Sequence, residues 1–185
     1  MAKHCPKQQF VSIPNRVIDN MEAYCLFCNT VKCESIAAEL NRRFHYEAYS
    51  PKIIQRKWVK GKCFEETRDY LPGYVFLYSD CSIKELAQIR SVDGVLRLLG
   101  EKEDGYRLFG DDLKFADMIL QKRGTIGVLK AVEVGDRVRI NKESLAGADG
   151  EIKKIDRHKG RAKVQFTFDQ RSFQIWVGID IVDKQ

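Results

Sequence analysis

Apolar residues fall in short runs and periodic patterns through the first half of the chain. The clearest case is DYLPGYVFLYS (residues 69–79), where Tyr74, Phe76 and Tyr78 fall on one face of a strand and Val75 and Leu77 on the other. A strand that is apolar on both faces must be covered on both. A shorter apolar run over residues 23–29 predicts a second strand. In TVKCESIAAELNRRF, Ile36, Ala37, Leu40 and Phe44 recur every three to four residues, which predicts an amphipathic helix. Residues 47–70 read as two extended segments joined around Gly61, with Lys52, Arg56, Lys57, Lys60 and Lys62 crowded towards the join. A short helix follows in SIKELAQIRSV through Ile83, Leu86 and Ile89, then a strand in GVLRLLG. A further helix in FGDDLKFADMILQKRG starts at Asp111 or Asp112, carries Leu113, Ala116, Met118 and Leu120, and stops at Gly124.

The resulting order predicts an α+β fold, an antiparallel sheet with helices packed on it. Beyond Gly124 the helical period disappears. DRVRI, GEIKKI, RAKVQFTF, SFQIWVG and DIVD are five short alternating segments separated by turn residues, which predicts a small all-β barrel. The expected organisation is an N-terminal arm over residues 1–22, a first domain over 23–123, a linker over 124–132 and a barrel over 133–185. The arm is polar, contains Pro6 and Pro14 and shows no steady period, so a loosely held segment is expected.

Composition adds limits. With 185 residues, 44% hydrophobic and 31% charged, the chain is an ordinary globular protein. No apolar run approaches the roughly 20 residues of a membrane helix, and the first residues lack a secretory apolar block, so a cytoplasmic protein with no membrane partner is expected. All six cysteines (Cys5, Cys25, Cys28, Cys33, Cys63 and Cys81) lie in the first half. The spacing of Cys25 and Cys28 admits a metal or redox site with Cys33, but AYCLFCNT reads as a buried strand in which cysteine is a small apolar residue. No metal and no cofactor are expected. Neither a phosphate loop, nor a zinc-protease motif, nor a nucleophile triad is present, and a non-enzyme is expected.

The net charge of +6 suggests an acidic partner, and its placement is more telling than its size. Residues 131–185 hold eleven basic against nine acidic residues, yet six of the basic ones (Lys153, Lys154, Arg157, Lys159, Arg161 and Lys163) crowd residues 153–163 against a single acid, Asp156. His158 lies among them. A local contact with a phosphate backbone fits this pattern, and a solvated hairpin tip is the bland alternative.

Gly135 precedes one barrel strand, and Leu145-Ala146-Gly147-x-x-Gly150 sits at a turn before another. That second motif resembles the KOW motif of ribosomal and transcription-elongation proteins. LPGYVFL (residues 71–77) and RSVDGVLRLLG (residues 90–100) resemble the N-terminal domain of NusG-type transcription factors. The two modules in this order cover residues 23–183. Within the family, IKKIDRHKGRAKV and VGIDIVDK are similar to the long-operon-associated antiterminators, the LoaP branch. The departures are Leu71, Ala23 and Ser144, where the family usually has phenylalanine, an aromatic residue and proline respectively.

The resemblance implies a monomeric processive antiterminator. Its first domain would grip the clamp helices of RNA polymerase through Leu71, Tyr74, Phe76 and Leu98. Its barrel would contact a nascent RNA hairpin through Lys153, Lys154, Arg157, His158, Lys159, Arg161 and Lys163. The cluster of Lys52, Arg56, Lys57, Lys60 and Lys62 would lie near upstream DNA or emerging RNA, with Trp58 either stacking on a base or packing. A general elongation factor whose barrel binds a termination factor or a ribosomal protein is the alternative, and a cysteine-based metal or redox regulator is a second. The residues alone favour an aromatic face at 74–78 that is covered by the protein's own helices, and it is the resemblance that points to docking.

Overall fold

The computed structural model describes residues 21–44, 46–79, 86–134, 137–140 and 151–182. Nearly all of the expected arm, the start of the helix around Ile83, Gly135 and the glycine motif of residues 145–150 lie outside the described residues.

The first domain is built on a four-stranded sheet of order β2-β5-β1-β6, with β1 at Glu22–Cys28, β2 at Glu47–Tyr49, β5 at Tyr74–Ser79 and β6 at Val95–Leu98. All its pairings are antiparallel. The long helix α1 (Cys33–Phe44) crosses one face, and Ile36, Ala37 and Leu40 are buried there with Tyr24, Leu26, Val75 and Leu77. The short helix α2 (Leu86–Arg90) places Ile89 in the same cluster. The opposite face receives α3 (Gly110–Gln121), whose Phe115, Ala116, Met118 and Ile119 are buried.

Beside this sheet, β3 (Lys52–Val59) and β4 (Lys62–Asp69) form a hairpin. Its two-residue turn puts Lys60 and Gly61 both at positive φ, 49° and 73°, the left-handed pair that matches strand twist. The short β7 (Thr125–Ile126) runs parallel to β3.

The second domain is a five-stranded sheet of order β10-β11-β12-β8-β9. Its strands are β8 at Leu129–Val134, β9 at Arg137–Ile140, β10 at Glu151–Asp156, β11 at Arg161–Phe168 and β12 at Arg171–Val182. Strand β8 pairs with β12 in parallel and the other neighbours are antiparallel. The α+β domain followed by an all-β domain matches the expected fold class.

The residues expected to link the two domains are not free of structure. Residues 125–126 form β7 on the first domain and 129–134 form β8 on the second, leaving Gly127 and Val128 between them. Both strands are made by pairing with distant segments, β3 and β12, which local patterning does not register.

No helix among the described residues is long and apolar enough to cross a membrane.

Candidate functional site

Strand β5 organises the site. Its Val75 and Leu77 point towards α1, and its Tyr74, Phe76 and Tyr78 point the other way, towards α3. The hydroxyl of Tyr78 donates to the carbonyl of Ala116 at 2.6 Å, which fixes α3 over one end of the strand. Further along the strand Phe115 of α3 meets Phe76 at 5.8 Å, and Leu71 and Tyr74, with Phe27 from β1 edge-on to Tyr74 at 5.5 Å, make an aromatic surface beside that contact.

The second domain fills it. Alternate residues of β11 (Ala162, Val164, Phe166 and Phe168) are buried in the same cluster as Tyr74 and Phe76. The Phe168 ring lies 5.0 Å from Phe76, 5.2 Å from Phe115 and 5.7 Å from Tyr74. Phe166 reaches Phe115 at 6.1 Å and Tyr70 at 5.7 Å. Phe173, the cross-strand partner of Phe166, meets Tyr74 at 6.4 Å. These are tilted and edge-on geometries, the arrangements in which aromatic quadrupoles attract.

Polar contacts frame the apolar centre. At the β11–β12 turn, Asp169 and Gln170 both adopt positive φ, and the Asp169 amide donates to Asp112 Oδ1 at 3.0 Å. Asp112 stands in the first turn of α3, where the helix dipole favours a carboxylate. Partial burial nonetheless pushes its pKa up, and the Asp169 amide offsets only part of that rise. On the far side, Arg56 Nη1 donates to the Ile179 carbonyl at 3.0 Å and pairs with Asp180 at 2.7 Å, while Gln55 donates to the Trp176 carbonyl at 2.9 Å. One polar group stays unmatched. The Tyr70 hydroxyl, buried between Phe115 and Phe166, finds no hydrogen-bond partner among the described residues.

Of the four residues expected to dock on a partner, the structure brings Leu71, Tyr74 and Phe76 into one cluster and places Leu98 elsewhere. The register explains it: Leu98 lies opposite Leu26, and directly paired residues share a face. Leu26 faces α1, so Leu98 does too. The residues that sequence reading missed are Tyr70 and Phe115, and on the second domain Phe166, Phe168 and Phe173. Only the alternation of RAKVQFTF hinted at these last, and it does not say what the buried face of β11 touches.

The two basic clusters divide into members held in the ion pairs described below and members exposed to solvent. Lys52 bonds Asp69 at 2.6 Å and Glu34 at 3.2 Å, and Arg56 is held by Asp180, so both serve the fold. Lys57, Lys60 and Lys62 are exposed on the hairpin and take part in no ion pair among the described residues. In the second domain Arg161 lies over the Trp176 ring at 4.3 Å and pairs with Asp156 at 3.2 Å. Lys153 pairs with Glu151 at 2.5 Å, and Lys163 is half-buried opposite exposed Lys154. Arg157, His158 and Lys159 are exposed in the β10–β11 turn. Asp156 shapes that turn by accepting from the Lys159 amide at 3.1 Å.

Cys25, Cys28 and Cys33 are buried, and desolvation raises all three thiols, Cys28 to about 12. They are protonated and apolar at neutral pH. Among the described residues no three His, Cys, Asp or Glu side chains come together as a metal site.

The family model described as transcription termination factor nusG matches residues 21–114. The chain is 29% identical over 131 residues to the transcription termination/antitermination protein NusG of Staphylococcus carnosus, covering 67% of this chain and 69% of that protein. It is 25% identical over 130 residues to the NusG of Pasteurella multocida, covering 68% and 70%. A solved structure on domain interaction in Thermotoga maritima NusG overlays with a TM-score of 0.52 at 19% identity, covering 85% of this chain and 93% of that one.

Proposed function

The chain belongs to the NusG family of transcription termination/antitermination factors, and we propose that it is a processive antiterminator of the LoaP type that exists in a closed, self-covered form. In this reading the aromatic face of Leu71, Tyr74 and Phe76 is the surface that receives the clamp helices of RNA polymerase. The observation that carries the reading is what lies on that face. Phe115 of the domain's own α3 covers part of it at Phe76, and a separate domain covers Tyr74 and Phe76 through aromatic side chains. A face of this kind is apolar enough to need a cover and becomes available once its cover leaves.

Binding then proceeds by exchange. The second domain swings off, the clamp helices replace Phe166, Phe168 and Phe173, and the bound factor biases polymerase against pausing and release. The work is a shift in a conformational equilibrium, not bond chemistry. The apparent affinity for polymerase is the intrinsic one reduced by the fraction of open protein. The freed second domain contacts nascent RNA through its basic turn.

The test is an NMR titration of the full chain with a clamp-helix fragment of RNA polymerase, repeated with Phe168→Ala. Wild-type shifts centred on Tyr74 and Phe76, with tighter binding by the variant, are expected. No shifts with either protein, both folded, would rule out polymerase docking on this face. Equal affinities would rule out the cover.

A further inference from the structure

We propose that the closed protein carries a composite site for single-stranded RNA, formed jointly by the β3–β4 hairpin and the β10–β11 turn. It rests on the reading that the basic turn contacts RNA, and adds a second wall to it.

The two walls lie about a hundred residues apart in the chain, and domain docking brings them together. A Cβ placed on Gly160, the last residue of the β10–β11 turn, would stand 3.5 Å from Arg56 Nη1 and 3.5 Å from the Ile179 carbonyl. Gly160 in turn accepts from the Ile179 amide at 2.9 Å. The turn therefore abuts the middle of β3. Two residues further along β3, and on the same face as Arg56, is Trp58, an indole left 51% exposed. Phe64 on β4, paired with Lys57 and so on the opposite face of the hairpin from Trp58, is 52% exposed. Large apolar residues left outside on an otherwise charged hairpin need a function that uses them.

The charges around them select the ligand. Lys60 stands in the hairpin turn and Lys57 and Lys62 share the Phe64 face, all three exposed and without ion pairs among the described residues. The nearby acids are already engaged: Asp180 and Glu65 with Arg56, and Asp156 with Arg161 and the Lys159 amide. What remains facing solvent is a lysine-rich hairpin carrying a bare indole, beside a turn presenting Arg157, His158 and Lys159. An exposed indole on a hairpin with lysines at its tip suits a single strand, whose phosphates take the charges and whose bases stack without regard to sequence. Duplex RNA would leave the indole unused, since its bases are already stacked.

The experiment uses the full chain and a fluorescein-labelled 20-nucleotide uridine oligomer, with anisotropy followed across a potassium chloride series. Lys60→Glu with Lys62→Glu, and Arg157→Glu with Lys159→Glu, should each weaken binding, and each should flatten the log–log salt slope by about 1.4 if two phosphate contacts go at about 0.7 apiece. Trp58→Ala should weaken binding roughly 5- to 150-fold, the loss expected for one stacked base. Glutamine at the same lysines, checked for an unchanged thermal transition, separates charge loss from misfolding.

If only the turn variant weakens binding, RNA contact by the second domain stands and the composite site is overturned. If neither does, both fall. A Phe168→Ala protein that has opened yet keeps full dependence on Lys60 and Lys62 would also overturn the joint site. Equal affinity for a thymidine oligomer would overturn RNA as its ligand.

Discussion

The unmatched hydroxyl of Tyr70 makes the closed form less stable than its packing alone would allow, and removing it should tighten closure. Tyr70 is 4% exposed, and its ring packs against Phe115 and Phe166 at 5.8 and 5.7 Å. Its backbone is fixed independently, the amide donating to the Pro51 carbonyl at 2.9 Å. Tyr70→Phe therefore deletes one oxygen and leaves the ring contacts in place. A buried hydroxyl without a partner costs roughly 1–3 kcal/mol, a cost that vanishes in the open form, where water reaches it. The variant should shift the open–closed equilibrium towards closed by about that amount, a factor of roughly 5 to 150 at about 1.4 kcal/mol per decade. Two measurements check it. Amide hydrogen exchange of the β11–β12 turn, which reports opening, should slow, and the apparent affinity for the clamp-helix fragment should fall by the same factor. A folded Tyr70→Phe protein that binds the fragment as well as wild type, with no slower exchange at the turn, would refute the argument.

Three further outcomes are expected. Asp112 has a pKa raised by burial, so the closed form holds its proton more tightly than the open one; closure is favoured as pH falls towards the carboxylate range and loses that contribution as pH rises through the raised pKa. Asp112→Asn, which keeps an acceptor for the Asp169 amide, should flatten the pH dependence of fragment binding above the ordinary carboxylate range. Gly124 has φ of 76°, and a Cβ there would meet the Tyr49 side chain at 2.8 to 3.0 Å. Gly124→Ala should cost roughly 1–3 kcal/mol, read by calorimetry as about 2–4 °C of Tm for each kcal/mol. Among Cys25, Cys28, Cys33 and Cys63, only Cys63 is exposed, so a maleimide should modify it first in the native protein and reach the other three only on unfolding.

The elements of the first domain were legible from local apolar patterns. The run of alternating aromatic and aliphatic residues at 74–78 located β5, which is buried on both faces, and the 3–4 spacing located α1. Leu98 shows where this ends. Its side follows from pairing with Leu26, and register is a relation between strands that no single segment contains. The same limit hid the cover of the aromatic site. Val164, Phe166 and Phe168 read as barrel core because alternation reports burial and not the identity of the neighbour. Charge was legible as position along the chain but not as engagement, since Lys52 and Arg56 proved to be tied up by Asp69 and Asp180.

Only Gly127 and Val128 separate β7, zipped to the first domain, from β8, zipped to the second. At about 3.5 Å per residue such a tether spans on the order of 10 Å, so a departing second domain cannot drift far while both strands stay paired. It then behaves as a ligand present at an effective concentration of millimolar or above. Any polymerase surface competing for the aromatic face must outbind that tethered rival, which makes closure a threshold that weak or chance encounters do not cross.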